Sequence, residues 1–180
     1  MALGKKCLHI GAGIDGRLPS EFWYYDDIRL DINPETNPTV VGSMIDLSMF
    51  PDNEFDAVYG YHVLEHIYDW EVKPTIAGFH RVLKPNGIIF MGVPNLWFNS
   101  TIFSSGDLEN VLFTTPKGSV TILDLLYGYN SEVRETLYMA HHTAFSELRL
   151  KNLLKDGFHD IQTWISEDRF TLYVSGEKKE

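Results

Sequence analysis

Apolar positions form short continuous runs in the first half of the chain and fall into a helical period between them and after them. Residues 5–10 read as a strand that runs straight into Gly11-Ala12-Gly13-Ile14-Asp15-Gly16. Residues 28–32 read as a second strand stopped by Asn33-Pro34, residues 39–41 as a brief third, 55–61 as a fourth and 87–93 as a fifth, ended by Pro94. Between the fourth and fifth, residues 64–83 follow a helical pattern, with Ile76, Phe79, His80 and Leu83 on one face and Lys84-Pro85-Asn86-Gly87 closing it. Pro74 should break that stretch or start its second piece. Residues 96–142 carry the weakest pattern. Helical fragments are expected there at 107–113 and 120–127, with a loop at 114–119. A clear helix follows at 146–155, with Leu148, Leu150, Leu153 and Leu154 as its apolar stripe and Asp156-Gly157 as its stop. Strands at 159–166 and 169–175, joined by Glu167-Asp168, read as a terminal hairpin. Short apolar strands alternating with helices predict an α/β domain on a mainly parallel sheet, with an antiparallel pair at one edge.

Composition narrows the function classes. A length of 180 residues fits a single domain, and 44% hydrophobic with 22% charged residues is an ordinary globular profile. The chain holds 25 acidic and 15 basic side chains, a net charge of −10. The deficit is spread over both halves, so no basic face is available for a nucleic-acid backbone. Cys7 is the single cysteine and cannot form an internal disulfide, which suits a reducing cytosol. Lys5, Lys6 and His9 interrupt the opening residues before a signal-peptide core can form, and no run approaches the ~20 apolar residues of a membrane span. The expectation is a cytoplasmic protein with no membrane or nucleic-acid partner. Nothing in the sequence marks its oligomeric state.

The candidate chemistry begins at the glycine loop. Gly11-x-Gly13-x-x-Gly16 directly after a strand has the form of a nucleotide-binding turn, in which glycine lets backbone approach a ligand closely. Asp31 ends the next strand, twenty positions after Gly11, where a carboxylate can accept hydrogen bonds from both hydroxyls of a ribose. Three glycines in six residues would also serve a plain turn; the placement after a strand and the acid on strand two favour a cofactor site. A dinucleotide needs a long helix presenting its N-terminus to a pyrophosphate. Here Pro19 comes three residues after Gly16, and residues 17–27 are too short and too interrupted for that helix. A ligand without phosphates fits better.

At these residues the chain resembles the class I S-adenosylmethionine-dependent methyltransferases. Leu8-His9-Ile10-Gly11-Ala12-Gly13 resembles the first family motif, which wraps the methionine part of the cofactor, and Leu30-Asp31-Ile32 the second, with Asp31 on the ribose. Ser43-Met44-Ile45-Asp46-Leu47 resembles the third, in which Asp46 would meet the adenine amino group. Phe55-Asp56-Ala57-Val58-Tyr59 running into Tyr61-His62-Val63-Leu64-Glu65-His66, and Arg81-Val82-Leu83-Lys84-Pro85-Asn86-Gly87, resemble the "fD-x-V … vLEH" and "rvLkPgG" segments of a large subgroup found among glycan and small-molecule modification enzymes. Pro94-Asn95 follows the fifth strand, and His141-His142-Thr143-Ala144-Phe145-Ser146 with Asp156-Gly157-Phe158 resembles its C-terminal pattern. The resemblance implies a Rossmann-like, doubly wound fold, S-adenosyl-L-methionine as cofactor, and a cofactor site of His9, Gly11, Ala12, Gly13, Asp31, Ile32, Asp46, Leu47, Tyr61 and His62. It implies methyl transfer to oxygen or nitrogen of a small-molecule or glycan acceptor, with residues 96–142 as the acceptor-side insertion of one domain, 1–180. The chain departs from the family at His9, where Asp or Glu is usual, at Asp15, where a third glycine is usual, and in the short segment after the glycine loop.

The histidines offer three roles. His141 and His142 are candidate general bases for a hydroxyl acceptor, against a loop-stabilising role. His62 is expected to line the cofactor pocket and His80 to pack. His62-Val63-Leu64-Glu65-His66 also matches the zinc signature H-x-x-E-H, which needs both histidines on one helical face and a distal third ligand. Tyr59-Gly60-Tyr61 reads as a strand end, so His62 should precede the helix, and no third ligand is marked; no metal is expected. Trp23, Tyr24, Tyr25, Trp97, Phe98 and Phe103 flank the pocket and read mainly as packing, with Trp97-Phe98-Asn99 as candidate acceptor contacts. Two other functions fit parts of the pattern: a methyltransferase-fold partner subunit that binds cofactor poorly, and a nicotinamide-dependent oxidoreductase.

Overall fold

The computed structural model describes residues 4–98, 106–115 and 118–180. Strands β1 (Lys6–Ile10), β2 (Asp26–Asp31), β3 (Val40–Val41), β4 (Phe55–Tyr61) and β5 (Leu83–Pro94) pair in parallel, and β8 (Phe158–Ile165) and β9 (Thr171–Lys178) join as an antiparallel edge. The sheet order is β3-β2-β1-β4-β5-β9-β8. This is a Rossmann-like α/β fold. A separate hairpin, β6 (Val111–Thr115) with β7 (Gly118–Thr121), belongs to the segment before helix α2 (Ile122–Tyr127). The chain steps outward from β1 to β2 and β3 and then returns to β4 on the other side of β1. That reversal opens a crevice at the C-terminal ends of β1 and β4, where ligands of open α/β sheets bind.

Strand alternation gives the sheet two unlike faces. Leu8 and Ile10 of β1, with Leu30, Val58, Ile89 and Met91, pack against α1 (Asp69–Val82) and α3 (Glu147–Leu154) through Val72, Ile76, Phe79, Leu150 and Leu154. Cys7, Ala57 and Tyr59 face the other way and meet Leu18 and, from the 3-10 turn Ser20–Phe22, Phe22. The segment after the glycine loop is therefore short, as its sequence predicts. Tyr59, Phe90, Tyr173 and Trp164 extend this second face as a ladder of rings 5.4–5.7 Å apart.

Several expectations change. Pro74 neither breaks nor starts a helix: α1 runs through it from Asp69 to Val82. The proline costs about 3 kcal/mol, but Val72, Ile76, Phe79 and Val82 are all buried on that helix and contribute about 1.5–3 kcal/mol each. Residues 107–113 are not helical; Val111-Leu112-Phe113 enter β6, consistent with their β-forming side chains. The helix expected at 120–127 starts at Ile122, because Thr121 caps it: its hydroxyl accepts the Asp124 N–H, and Asp124 accepts the Thr121 N–H. In the helix of residues 147–154, Leu150 and Leu154 are buried but Leu148 faces solvent. No described helix is long and apolar enough to cross a membrane.

Asp56 ties three strands together. Its Oδ2 accepts from the Lys6 N–H at 2.9 Å and from the Lys84 ammonium at 2.7 Å. Burial alone would raise its pKa, but these two donors and the nearby lysine charges more than offset that and hold it below the usual carboxylate range. A carboxylate with a lowered folded pKa stabilises the fold above its unfolded pKa, near 3.9, and loses that contribution as pH falls through the folded value. Asp56→Asn should therefore lower stability at pH 7 and flatten the loss of stability below about pH 4; thermal melts of both proteins across that range check it.

Candidate cofactor cleft and the histidine–glutamate cluster beside it

The glycine loop is built by close approach. Gly11 has φ +60, donates its N–H to the Leu30 carbonyl at 2.8 Å, and lies where a Cβ would be 2.4 Å from Val63 Cγ2. A Cβ on Gly16 would stand 1.8 Å from the Ala12 carbonyl oxygen. Gly13 differs: a Cβ there would meet nothing within 4 Å, because its backbone borders open space. Asp31, 8% exposed, fixes the loop to the end of β2. Its Oδ2 accepts the Gly13 N–H at 2.8 Å and its Oδ1 the Asn33 N–H at 2.9 Å. A carboxylate has about four acceptor sites, so two are left for a ligand. On the loop's other side the Arg29 guanidinium donates to the carbonyls of Ala12, Gly13 and Ile14. Sequence reasoning passed over Arg29; its signal was a cation two residues before Asp31, on the same side of β2.

The loop opens on a cleft of about 630 Å³. Gly11, Gly13, Asp31, Ile32 and His62 all line it, as do Gly42, Ser43 and Met44 after β3, and Glu132, Glu135, Thr136, Tyr138 and Met139 on the opposite side. Five of the expected cofactor residues do not line it. His9 points to the second sheet face, where its ring meets Tyr59 and its Nδ1 lies 3.3 Å from Asp27; alternation along β1 sends Ile10 toward the cleft and His9 away from it. Ala12 is buried behind the loop and Leu47 is buried in the core. Asp46 is exposed and accepts the Ser48 N–H at 3.0 Å. Tyr61 leans on Tyr173, its hydroxyl 3.3 Å from Thr171 Oγ1. A pyrophosphate would need a helix N-terminus after the loop, and the turn Ser20–Phe22 does not supply one.

His62 precedes the 3-10 turn Leu64–His66, as expected, so the helical H-x-x-E-H zinc geometry does not form. His62 itself has φ +50, with its N–H on the Gly92 carbonyl at 2.8 Å. Its Nε2 lies 2.9 Å from Thr171 Oγ1 and its Nδ1 3.6 Å from Glu65 Oε1. Burial, and after it the neighbouring His66, pushes the His62 pKa down to about 4, so the ring is neutral at pH 7. Glu65 is 1% exposed, and neither carboxylate oxygen has a hydrogen-bond partner. Burial pushes its pKa up to about 8. His66 places Nδ1 3.2 Å from the Ala140 carbonyl. The two histidines expected to act as bases part company: the His141 ring lies 5.1 Å from that of His66, while His142 stacks on Tyr68 at 4.2 Å on the outside. His141 is pushed down to about 4, first by burial and then by His66 and His62. His80 packs edge-on against Phe158. Of the flanking aromatics, Trp23 and Tyr24 are exposed, Tyr25 packs on Phe22, and Phe98 packs on Phe170. Asn99 and Phe103 lie outside the described residues.

Comparison with known proteins agrees with the fold. Residues 8–91 match the family described as a methyltransferase domain. A probable S-adenosylmethionine-dependent methyltransferase of Mycolicibacterium smegmatis is 29% identical over 109 residues, 59% of this chain and 40% of that protein. An uncharacterized methyltransferase of Bacillus subtilis is 42% identical over 57 residues, 32% of this chain and 22% of that protein. The chain thus spans less than half the length of these curated relatives. Among solved structures, a SAM-dependent methyltransferase from Archaeoglobus fulgidus superposes with a TM-score of 0.65 over 97% of this chain and 86% of that one, at 15% identity. The fold is that of the Rossmann-like methyltransferases.

Proposed function

We propose that this chain is an S-adenosylmethionine-dependent methyltransferase acting at oxygen or nitrogen of a small-molecule or carbohydrate-type acceptor. The observation that carries the reading is the Gly11–Gly13 loop held by Asp31 beside an open cleft, within the residues that match a methyltransferase domain. Loop backbone at Gly11 and Gly13 would hold the methionine part of the cofactor, and the unused acceptor sites of Asp31 the ribose hydroxyls. Ile32 and Met44 offer apolar surface for the adenine. The cofactor supplies an activated methyl group; the protein aligns the acceptor and excludes water. Glu132, Glu135 and Thr136 line the same cleft from residues 96–142, a polar wall suited to a hydroxylated or amine acceptor. Transfer of labelled methyl from S-adenosylmethionine to a panel of sugars and small amines is the test. Glu135→Gln should raise the acceptor KM several-fold with little change in cofactor affinity; incorporation into none of the panel would remove the acceptor assignment.

A partner-subunit reading is favoured by one observation. Among the described residues, the second sheet face is met by the Ser20–Phe22 turn rather than a long helix, and Trp164 on it is 40% exposed. Cofactor binding without transfer to any acceptor would support that reading instead.

A further inference from the structure

We infer that Glu65, His66 and His141 form a binding site for a divalent transition-metal ion, zinc first, on the wall of the cofactor cleft. One donor atom from each lies within 4.8 Å of the others. The three come from two separate loops, and backbone bonds hold those loops together. The N–H groups of His142 and Thr143 donate to the Glu65 carbonyl at 2.8 and 3.3 Å, and the His141 N–H to the Tyr127 carbonyl at 3.1 Å. His141 is thus the distal third ligand that the H-x-x-E-H segment lacked in sequence, with Glu65 taking the place of His62 in the set.

The chemistry of the donors fits. A carboxylate sealed from water with neither oxygen bonded is costly, and such groups are ordinarily paired or coordinate metals. His66 can donate its Nδ1 proton to the Ala140 carbonyl, which leaves Nε2 as a ligand and sets the ring's direction. Two imidazoles and a carboxylate suit zinc and its neighbours rather than magnesium or calcium, and three protein ligands leave a position for water or a substrate oxygen. Donors in a tetrahedral zinc site stand about 3.3 Å apart, so a cluster whose donors already lie within 4.8 Å of one another needs to close by at most about 1.5 Å. His62 places its Nδ1 3.6 Å from Glu65 Oε1, beyond hydrogen-bond reach, with its Nε2 on Thr171. His66 also lines the cleft, so the open position would suit an oxygen of the acceptor. That last step rests on the methyltransferase reading, whereas metal binding does not. Among the described residues the other compatible group, His159, Asp160 and Glu177, is more open and has no orphaned donor, and it serves as an internal control.

The test is a calorimetric titration of chelator-treated full chain with zinc chloride, repeated with cobalt(II) to read its visible absorption. The expected result is one ion per chain, with intense cobalt bands of a low-coordinate site. Glu65→Gln and His141→Ala should each weaken binding by about 100-fold or more, and His159→Ala should leave it unchanged. Glu65→Gln removes a buried acid and should fold at least as well as the metal-free parent, so it decides the matter even if His141→Ala does not fold. Zinc binding that survives Glu65→Gln undiminished, or that is lost with His159→Ala, overturns the site, as does no binding at millimolar zinc. Binding of S-adenosylhomocysteine to the metal-free chain reads the methyltransferase proposal separately.

Discussion

Gly11→Ala is expected to destabilise the protein by about 2–5 kcal/mol. A left-handed conformation costs a non-glycine residue about 1–2 kcal/mol, and Gly11 has φ +60. The added methyl would also be forced to 2.4 Å from Val63 Cγ2, an overpacking that costs about 1–3 kcal/mol. Valine is stiff at χ1 and cannot turn the methyl aside cheaply. For a chain of this length the loss corresponds to roughly 5–15 °C in melting temperature. Val63→Ala in the same chain removes the Cγ2 contact but leaves the Cβ of residue 63 at 2.9 Å and the backbone strain in place, so the double variant should recover part of the loss and no more. Full recovery, or none, would show that one of the two causes is absent. Thermal melts of the four proteins in the cycle measure both.

Asp31→Ala is expected to weaken S-adenosylhomocysteine binding by about 100-fold or more. The carboxylate has two proposed tasks. It would accept the ribose hydroxyls, at about 1.5–3 kcal/mol for each bond to a charged group, and it already anchors the Gly13 and Asn33 N–H groups. Asp31→Asn should fall between the parent and the alanine variant, because the amide keeps an acceptor and loses the charge. If the alanine variant binds as tightly as the parent, the ribose is held elsewhere and the site assignment fails. The melting temperature of Asp31→Ala should fall modestly, since two backbone donors near the surface lose their acceptor.

The sheet was readable because its signals are local. β4 forms over the residues its apolar run predicts, Phe55–Tyr61, and the terminal hairpin and the capped helix after Ser146 differ from expectation by only a few residues. Pro74 misled because the penalty of one residue is visible in sequence while the burial of Val72, Ile76 and Phe79 against a distant sheet is not. Residues 107–113 misled for a related reason: a hairpin strand of five residues is too short for its period to stand out from a helical turn. At the site, the glycine loop and Asp31 carry a spacing that sequence preserves. His9 misled: the family resemblance put it in the cofactor site, although alternate residues of β1 face opposite sides and Ile10 takes the cleft side. The meeting of Glu65 and His66 with His141 was not: it depends on a return of the chain after more than seventy residues. Nor could sequence show that the Glu65 carboxylate is sealed from solvent and left without a donor.

The most direct measurement of the central claim is a calorimetric titration of the full chain with S-adenosylhomocysteine. The account predicts one site per chain with micromolar affinity, competed by S-adenosylmethionine and insensitive to NADH. No heat of binding at millimolar ligand, from protein shown to be folded, would contradict it.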